Sequence, residues 1–388
     1  MTVSPVFDVV AESKRIGREV AARWADDVDV GARFPIETVD ELRSAGLLAA
    51  LVPKESGGAG STIGETSQSV AAVAAHCGSS GMVLAMHHIQ VAAIVRHGTP
   101  AMRERVYPLL VAGDLLLANA FSEVGLGGDG RRSICALEPI DGGFHLDKQA
   151  SAVSYGQYAD GVLVTARRTP DSPGQEQAFA VCLAPDVSMT PAGDWDTLGL
   201  RGTCSVPMRV VADVPAHMVV DDFATAFVRT VLAYGCILLS SVWLGLAEGA
   251  AQRAHASVRV KARGHRTELA DGTPPIGAIR LAELGVVLHQ MREVIGAGAD
   301  RYERLKETSE VDTMGFSSNL DNIKLSSSAL VLDIVQRAMG ICGLEGYKNG
   351  TQTSLARMMR DANAAPLMVN SDRTLQATAH SLLIRKEI

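Results

Sequence analysis

Apolar residues recur every three or four positions through most of the first 114 residues, which is the spacing of amphipathic helices. The clearest run is PIETVDELRSAGLLAALV, where Pro35 suits the first position of a helix and Gly46 suits its end. A Pro/Gly loop follows, and a long, weakly polar helical pattern then extends from Gly64 to Arg96. The pattern therefore predicts an all-helical N-terminal domain over residues 1–114.

The pattern changes near Leu115, where Gly-rich turns begin to separate short runs with Val-rich alternation. The runs GFHLDKQASAV, YADGVLVTAR and AFAVCLA are typical of strands, and they predict a middle β domain, a barrel or sandwich, over residues 115–220. Helical periodicity returns between Thr225 and His380, including one helix predicted over Ser354 to His380. It predicts a C-terminal helical bundle over residues 221–388, and the whole order favours an α+β fold with segregated elements.

Composition and charge exclude several classes of function. Of the 388 residues, 47% are hydrophobic and 20% are charged, which is ordinary for a globular chain and excludes a disordered one. The net charge of -7 leaves no basic field for a phosphate backbone, so no nucleic acid partner is expected. The six scattered cysteines form no Cys-x-x-Cys pair, so we expect reduced thiols and no metal site. We also find no signal peptide and no unbroken apolar run of about 18 residues, which predicts a cytoplasmic protein without a membrane span.

The segment GLGGDG, residues 125–130, has the Gly-x-Gly-x-x-Gly spacing of a dinucleotide fingerprint. That fingerprint needs a helix directly after it, because the helix N-terminus binds the pyrophosphate. RRSICALEPIDGG follows instead and has no helical periodicity. We therefore interpret GLGGDG as a Gly-rich loop.

Four segments resemble motifs of the acyl-CoA dehydrogenase superfamily. FPIETVDELRSAGLLAALVPKESGGAG is similar to the family's opening, and NAFSEVGLGGDG is similar to its Thr-Glu-Pro-Gly-Ala-Gly-Ser-Asp loop. TLGLRGTCS matches the Leu-Gly-x-Arg-Gly-Ser/Thr element near the end of the β domain. ICGLEGY and RMMRDANAAPLMVNS resemble the C-terminal Gly-Gly-x-Gly-Tyr and Arg-Asp-Ala pair. The four occur in the family's order over nearly the whole chain, which makes the resemblance specific.

The resemblance implies an N-terminal helical domain, a middle β domain and a C-terminal four-helix bundle, with FAD, or alternatively FMN, between the last two. It implies oxidation of the CH–CH bond of an acyl thioester, carried by CoA or by an acyl carrier protein, with electrons leaving through an electron-transfer flavoprotein. A homotetramer or homodimer is expected. The apolar bundle helices agree with this, since a lone bundle would expose a large apolar patch.

Several residues occupy positions where the family contacts its flavin. Ser122 stands at the Thr of Thr-Glu and Ser154 at the Thr of Trp-Ile-Thr, and both keep a hydroxyl donor. The Trp itself is replaced by Ala152, which removes a stacking surface. The other implied cofactor contacts are Lys261 and Arg263 at the pyrophosphate, Gly343 and Gly346 beside the adenosine half, and Ser371 and Arg373 at the flavin. A solvated basic helix end is the alternative for Lys261.

The family's catalytic base is missing from its usual position. Removing the α-proton of a thioester needs a carboxylate opposite the flavin, and Val369 stands there. In members that carry the base on the first bundle helix, the aligned position is near Cys236. The candidate substitutes are Asp372 one helical turn after Val369, Cys236 as a thiolate, and His88 or its neighbour His87. The structural alternatives are a helix cap for Asp372, an inert buried thiol, and histidines that are satisfied within the fold.

Three functions fit this pattern. The first is a dehydrogenase of acyl thioesters with a relocated base. The second is a flavin monooxygenase of the same fold, using O₂ on an amine, sulfur or aromatic substrate without the Glu. The third is a non-catalytic member that binds a partner or carrier protein. The first is ranked highest because the resemblance favours it, and that ranking is an argument by analogy.

Overall fold

The computed structural model describes residues 7–127, 129–264 and 274–384. Within this part of the chain, the N-terminal region consists of six α-helices, with a π-helical turn at Gly17–Ala21 between the first two. They are α1 (Val9–Ile16), α2 (Ala22–Val30), α3 (Ile36–Ser44), α4 (Ile63–Ala74), α5 (Gly78–His97) and α6 (Pro100–Ala112). Local signals set their ends: Thr62 and Glu65 form a capping box at α4, and Gly113 ends α6 with a φ of 78°.

Eight strands follow in the described residues, and they form two four-stranded sheets. The strands are β1 (Leu117–Ala120), β2 (Glu138–Ile140), β3 (Gly143–Ala150), β4 (Gly161–Arg167), β5 (Gln177–Leu183), β6 (Val187–Pro191), β7 (Met208–Pro215) and β8 (Val219–Val220). The sheet orders are β1-β4-β5-β8 and β2-β3-β7-β6, and only the β1–β4 pair is parallel. Strand β5 is buried at every position, whereas β7 alternates between buried and more exposed residues, as expected of a strand with one face toward the core.

The C-terminal region is again helical. Its described helices are α7 (Phe223–Ala226), α8 (Leu232–Gly264), α9 (Ile276–Leu305), α10 (Met314–Cys342), α11 (Leu344–Tyr347), α12 (Ala356–Ala362) and α13 (Ser371–Ile384). The single helix predicted over Ser354 to His380 is wrong, because a turn at residues 363–370 separates α12 from α13. Pro366 interrupts the helical hydrogen bonds there, and Val369 adopts a left-handed φ of 46°.

Helix α8 forms the centre of the helical core. Its Trp243 is fully buried, and α8 packs against α4, α5, α9 and α10. Two glycines let α8 approach α4 closely, since a Cβ on Gly245 would lie 2.4 Å from the carbonyl oxygen of Ala71 and one on Gly249 would lie 2.2 Å from that of Ala75. The helical, β, helical architecture confirms the predicted fold class.

Three helices in the described residues are long and apolar enough to cross a membrane by length and composition: Gly78–His97, Phe223–Ala262 and Met314–Cys342. The sequence pattern did not predict segments of this kind. The most apolar stretch is 89% buried within the protein in the first two and 44% buried in the third. Most of the apolar surface of the first two is therefore covered by the protein's own core.

Candidate functional site

A buried ion pair anchors the Gly-rich loop to the β domain. The Glu123 carboxylate accepts hydrogen bonds from the backbone amides of Ile134 at 2.9 Å and Cys135 at 2.8 Å. The Lys148 ammonium lies 3.4 Å from the same carboxylate and donates to the Thr165 carbonyl at 2.6 Å. Burial lowers the pKa of Lys148, while the Glu123 charge raises it. The start of the loop is thus held rigidly, and so is its neighbour Ser122.

The two hydroxyl residues predicted to contact a flavin lie close together in the chain's fold. Ser122 is half-buried, and its Oγ donates to the Ala152 carbonyl at a long 3.4 Å. Ser154, two residues beyond Ala152, is buried and shares a 2.8 Å hydrogen bond with the Ser205 hydroxyl. The Ser122 hydroxyl is therefore the less committed of the two, and the more available to a ligand.

The N-terminus of α13 meets the Gly-rich loop. The Arg373 guanidinium donates to the Gly127 carbonyl at 2.7 Å. Two residues earlier, the Ser371 hydroxyl accepts a 2.8 Å hydrogen bond from the Lys324 ammonium of α10. Both predicted α13 residues therefore lie at the junction of the loop with the bundle, and the space between the loop, α10 and α13 is called the cleft from here on.

Sequence reasoning missed two titratable residues of α10 at this cleft. Lys324 is 1% exposed, and burial lowers its pKa to about 8. Burial raises the pKa of half-buried Asp321 to about 6, against the opposing effects of Arg131 in the loop and Lys324. A signal for Lys324 was present, because it falls on the buried stripe of α10 between Leu320 and Val331, where an apolar residue is expected.

The candidate bases on α8 and α5 are buried in the core of the protein. Cys236 is buried in α8, and burial raises the pKa of its thiol, which therefore stays protonated. His88 is buried in α5, and burial lowers its pKa well below the usual range. Its neighbour His87 connects the Leu48 carbonyl, at 2.9 Å, to the Leu117 amide, at 3.1 Å. All three are enclosed in the core, which favours the structural alternatives of an inert thiol and satisfied histidines, and a role for any of them as the base stays a prediction.

Val369 and Asp372 are both exposed. Val369 is 57% exposed in the turn before α13 and has no group that accepts a proton. Asp372 lies in the first turn of α13, with its side chain toward solvent. Its role as a relocated base remains a prediction.

The residues predicted for the pyrophosphate and adenosine have other contacts. Lys261 donates to two carbonyls at the C-terminus of α10, at 3.0 and 3.3 Å, which suits a cation at a helix end. A Cβ on Gly346 would lie 2.5 Å from the Cβ of Cys342, so internal packing already requires a glycine there. A Cβ on Gly343, with a φ of 65°, would meet nothing within 4 Å. The Arg263 side chain falls outside the described part of the structure.

A second set of family-like residues joins the three regions of the molecule. Asp361 of α12 accepts a 2.7 Å hydrogen bond from the Leu200 amide, and burial raises its pKa to about 6. Arg360 pairs with Asp29 of α2, and Arg201 donates to the Asp29 carbonyl at 3.0 Å. The segments TLGLRGTCS and RMMRDA therefore meet each other and α2, and this set of contacts is called the domain joint.

In the part of the chain that the structure describes, no three His, Cys, Asp or Glu side chains come together as a metal site. The described groups at the cleft include the hydroxyls of Ser122 and Ser371, the Lys324 ammonium, the Arg373 guanidinium and the Asp321 carboxyl. Such groups bind and orient a polar ligand and exchange protons with it.

A helical domain, a pair of sheets and a helical C-terminal region, with hydroxyls and cations at their junction, define the architecture of acyl-CoA dehydrogenase-like flavoproteins. The family model described as "Acyl-CoA dehydrogenase, N-terminal domain" matches residues 8–114, and "Acyl-CoA dehydrogenase, C-terminal domain" matches residues 225–368. The chain belongs to the acyl-CoA dehydrogenase family, and the resemblance seen in the sequence is confirmed.

Relatives of this chain differ in the reactions that their names describe. The probable acyl-CoA dehydrogenase FadE25 of Mycobacterium tuberculosis is 24% identical over 96% of this chain and 93% of its own length. The FMN-bound structure of TdsC, a dibenzothiophene monooxygenase of Paenibacillus sp. A11-2, has a TM-score of 0.83 at 21% identity and covers 97% of both chains. Butyryl-CoA dehydrogenase of Megasphaera elsdenii has a TM-score of 0.81 at 20% identity and covers 99% of both chains. The relatives thus include both acyl-CoA dehydrogenases and a flavin monooxygenase.

Proposed function

We propose that this protein is a flavin-dependent monooxygenase that acts on an amine, sulfur or aromatic substrate. The observation that carries the proposal is the absence of a carboxylate at both positions where the family places its base. Val369 is aliphatic, and Cys236 is a buried thiol that stays protonated. A thioester dehydrogenase needs that carboxylate to remove the α-proton, whereas oxygen transfer does not.

The described residues fit the polar edge of a flavin. Within the described part of the chain, the Ser122 hydroxyl makes one long hydrogen bond, and the Arg373 guanidinium lies beside the loop carbonyl of Gly127. Ser122 would donate to the flavin, and Arg373 would hold its negative charge. The adenosine half is less well supported, because Lys261 caps α10 and Gly346 is required by packing. We therefore favour FMN and keep FAD as the alternative.

When bound and reduced, the flavin supplies the electrons and the oxygen-activating chemistry. The chain's own residues then have three tasks. Ser122 and Arg373 orient the cofactor, the buried pair of Glu123 and Lys148 keeps the loop in place, and the groups of α10 and α13 exchange protons with the substrate.

Acyl-thioester dehydrogenation is the second candidate, and one observation favours it. Burial raises the pKa of Asp321 to about 6, a value at which a carboxyl acts as a base near neutrality. In that case the substrate is an acyl-CoA or an acyl carrier protein thioester, with an electron-transfer flavoprotein as acceptor. Asp372 is the other carboxylate available to this reaction.

The experiment compares the two reactions on one preparation. The protein is reconstituted with FMN or FAD, and substrate-stimulated O₂ consumption is measured with NADH and a flavin reductase. In parallel, a panel of acyl-CoAs is added anaerobically to the oxidised protein, and flavin bleaching is followed by absorbance. Substrate-dependent oxygen transfer without bleaching supports the monooxygenase. Rapid bleaching by an acyl-CoA overturns it in favour of the dehydrogenase.

We propose, too, that the protein is a homo-oligomer. The most apolar stretch of α10 is only 44% buried, and α9 exposes Ile276 and Val286 by 64% and 60%. An apolar face of this kind favours association with a second copy. Light scattering at micromolar concentration tests this, and a monomer mass would contradict it.

A further inference from the structure

The Lys324 ammonium is enclosed in the bundle and has one hydrogen-bond partner among the residues that the structure describes. It is 1% exposed, and its Nζ donates to the Ser371 Oγ at 2.8 Å. Among the described residues, no carboxylate lies within ion-pair distance of this amine. A buried charge without a paired countercharge is disfavoured by several kcal/mol, so the neutral amine becomes accessible.

The groups that face Lys324 come from three elements. Asp321 lies one turn earlier on α10, Cys236 lies on α8, and Ser371 lies on α13. Burial lowers the pKa of Lys324 to about 8, and the charge of Asp321 opposes that shift. Arg131 of the loop acts on Asp321 from the other side of the cleft. The amine therefore changes its charge close to neutral pH, where few lysines do.

Ser371 links this amine to the N-terminus of α13. Its side chain is half-buried, it is the first residue of α13, and it comes two residues after Val369, the position aligned with the family's base. Arg373 fixes the same turn of α13 to Gly127 of the loop. The Ser371 hydroxyl is thus close in the chain to the place where relatives carry a carboxylate, and it is backed by a titratable amine.

We propose that Ser371 and Lys324 form a proton relay that accepts a proton from the heteroatom of the substrate, with Ser371 meeting the ligand and Lys324 acting behind it as a positioning residue. The proposal rests on the proposed function and selects, among its substrates, those with an ionisable N–H, S–H or O–H at the reacting atom. The substrate proton moves to the Ser371 Oγ while the Ser371 proton moves to the neutral Lys324 Nζ. The resulting ammonium later returns its proton to solvent through the same hydroxyl, so protons balance over a turnover.

The first test measures Lys324 directly in the flavin-loaded protein, without turnover. The Cε signals of ¹³C-labelled lysines are titrated by NMR, and the Lys324 signal is assigned by its loss in Lys324→Met. We expect a titration midpoint near the lowered pKa of Lys324, about 8. The midpoint should shift in Ser371→Ala and should be unchanged in the control Ser326→Ala, which alters a half-buried serine on α10. A midpoint at about 10.4, the ordinary lysine value, overturns the proposal.

The second test uses the pH profile of kcat/KM. The kcat/KM of the wild type should rise about tenfold per pH unit up to the pH at which half of Lys324 is neutral, and it should then level off, because the neutral amine is the proton acceptor. In Ser371→Ala, kcat/KM at the plateau should be about a hundredfold lower than in the wild type. In Lys324→Arg, whose side chain stays charged, kcat/KM should show no rise with pH. If Lys324→Met does not fold, Ser371→Ala and Lys324→Arg carry the test.

The outcomes distinguish a failure of the Ser371–Lys324 pair from a failure of the proposed function. An active enzyme in which Ser371→Ala keeps the wild-type pH profile overturns the pair and leaves the monooxygenase standing. A wild type without flavin-dependent turnover overturns the proposed function, and the NMR midpoint and its response to Ser371→Ala then decide whether the coupled pair exists.

Discussion

The domain joint and the cleft lie at two ends of the same short C-terminal segment, and they differ in how closely they follow the family. At the joint, Asp361 and Arg201 match the residue types of the family motifs, and hydrogen bonds between side chains and backbone join Asp361 to the Leu200 amide and Arg201 to the Asp29 carbonyl of α2. At the cleft, eight residues after Asp361, Val369 stands where a carboxylate is expected, and Ala152 replaces an aromatic ring.

The difference separates residues that hold the fold together from residues that we propose for the reaction. The joint is buried, and a change there would leave a backbone amide or a buried charge without a partner. The turn at residues 363–370 is partly exposed, so its side chains are free to change with the chemistry. We propose that this chain keeps the family's architecture while the group that moves the proton has changed.

The largest effect is expected at the joint. Asp361→Ala should lower the free energy of unfolding by about 3 kcal/mol, because it leaves the Leu200 amide unpaired and removes the carboxylate near buried Arg357. Urea denaturation measures the change, with Asp372→Ala, an exposed carboxylate, as the control within about 0.5 kcal/mol. Equal losses in the two variants would remove the contrast between joint and cleft.

A carboxylate restored at the cleft should create the family's reaction. Val369→Glu should raise anaerobic flavin bleaching by acyl-CoAs about a hundredfold, since a positioned base commonly supplies at least that factor. Leu367→Glu, at a 74% exposed position of the same turn, is the matched control. Absence of bleaching in a flavin-loaded Val369→Glu protein would show that the turn does not present this position to the substrate.

The two hydroxyls should differ in their effect on the cofactor. Ser122→Ala should weaken flavin binding about tenfold, the equivalent of one good hydrogen bond, because its hydroxyl is weakly engaged within the protein. Ser154→Ala should have a smaller effect, because Ser205 already shares its hydroxyl. Fluorescence titration with FMN and FAD measures both constants, and Ser188→Ala on exposed β6 serves as the reference. The reverse order would assign the flavin contact to Ser154.

The smallest effect concerns the backbone of the cleft. Val369→Asn should stabilise the protein by about 0.5 kcal/mol, because a β-branched residue is strained at a φ of 46° and Asn tolerates it. Val286→Asn, an exposed helical position, should not stabilise it. Thermal unfolding of the two variants checks the sign, and destabilisation by Val369→Asn would mean that the valine side chain itself contributes to the turn.

The sequence allowed the architecture to be predicted because it rests on periodicity. The predicted segments Leu232 to Val260 and Gly277 to Leu305 match α8 and α9 to within a few residues. The break between α12 and α13 was missed, since the apolar spacing continues through it while Pro366 and the left-handed Val369 interrupt the backbone. The periodicity of apolar residues indicates which side chains are buried, whereas a break between two helices is a property of the backbone.

The contents of the cleft were predictable only in part. Ser371 and Arg373 were found by alignment to motifs, and the structure places both at the junction of the loop with α13. Lys324 and Asp321 were missed because their proximity to Ser371 and Arg131 follows from helix packing, which a single sequence does not encode locally. The pairing of Glu123 with Lys148 likewise depends on how the loop folds back over β3.

That buried pair has a consequence for how this protein changes over generations. Glu123 fixes the start of the Gly-rich loop to the sheet, and beyond it the described loop is held through backbone carbonyls, with Gly127 bound by Arg373 and Gly130 bound by Gln177 of β5. Homologues and engineered variants should therefore tolerate insertions and substitutions of loop side chains with little loss of folding stability. The loop borders the cleft at Gly127, so sequence changes in the loop should alter which substrates the cleft binds. The segment is the natural starting point for directed evolution of new substrate ranges.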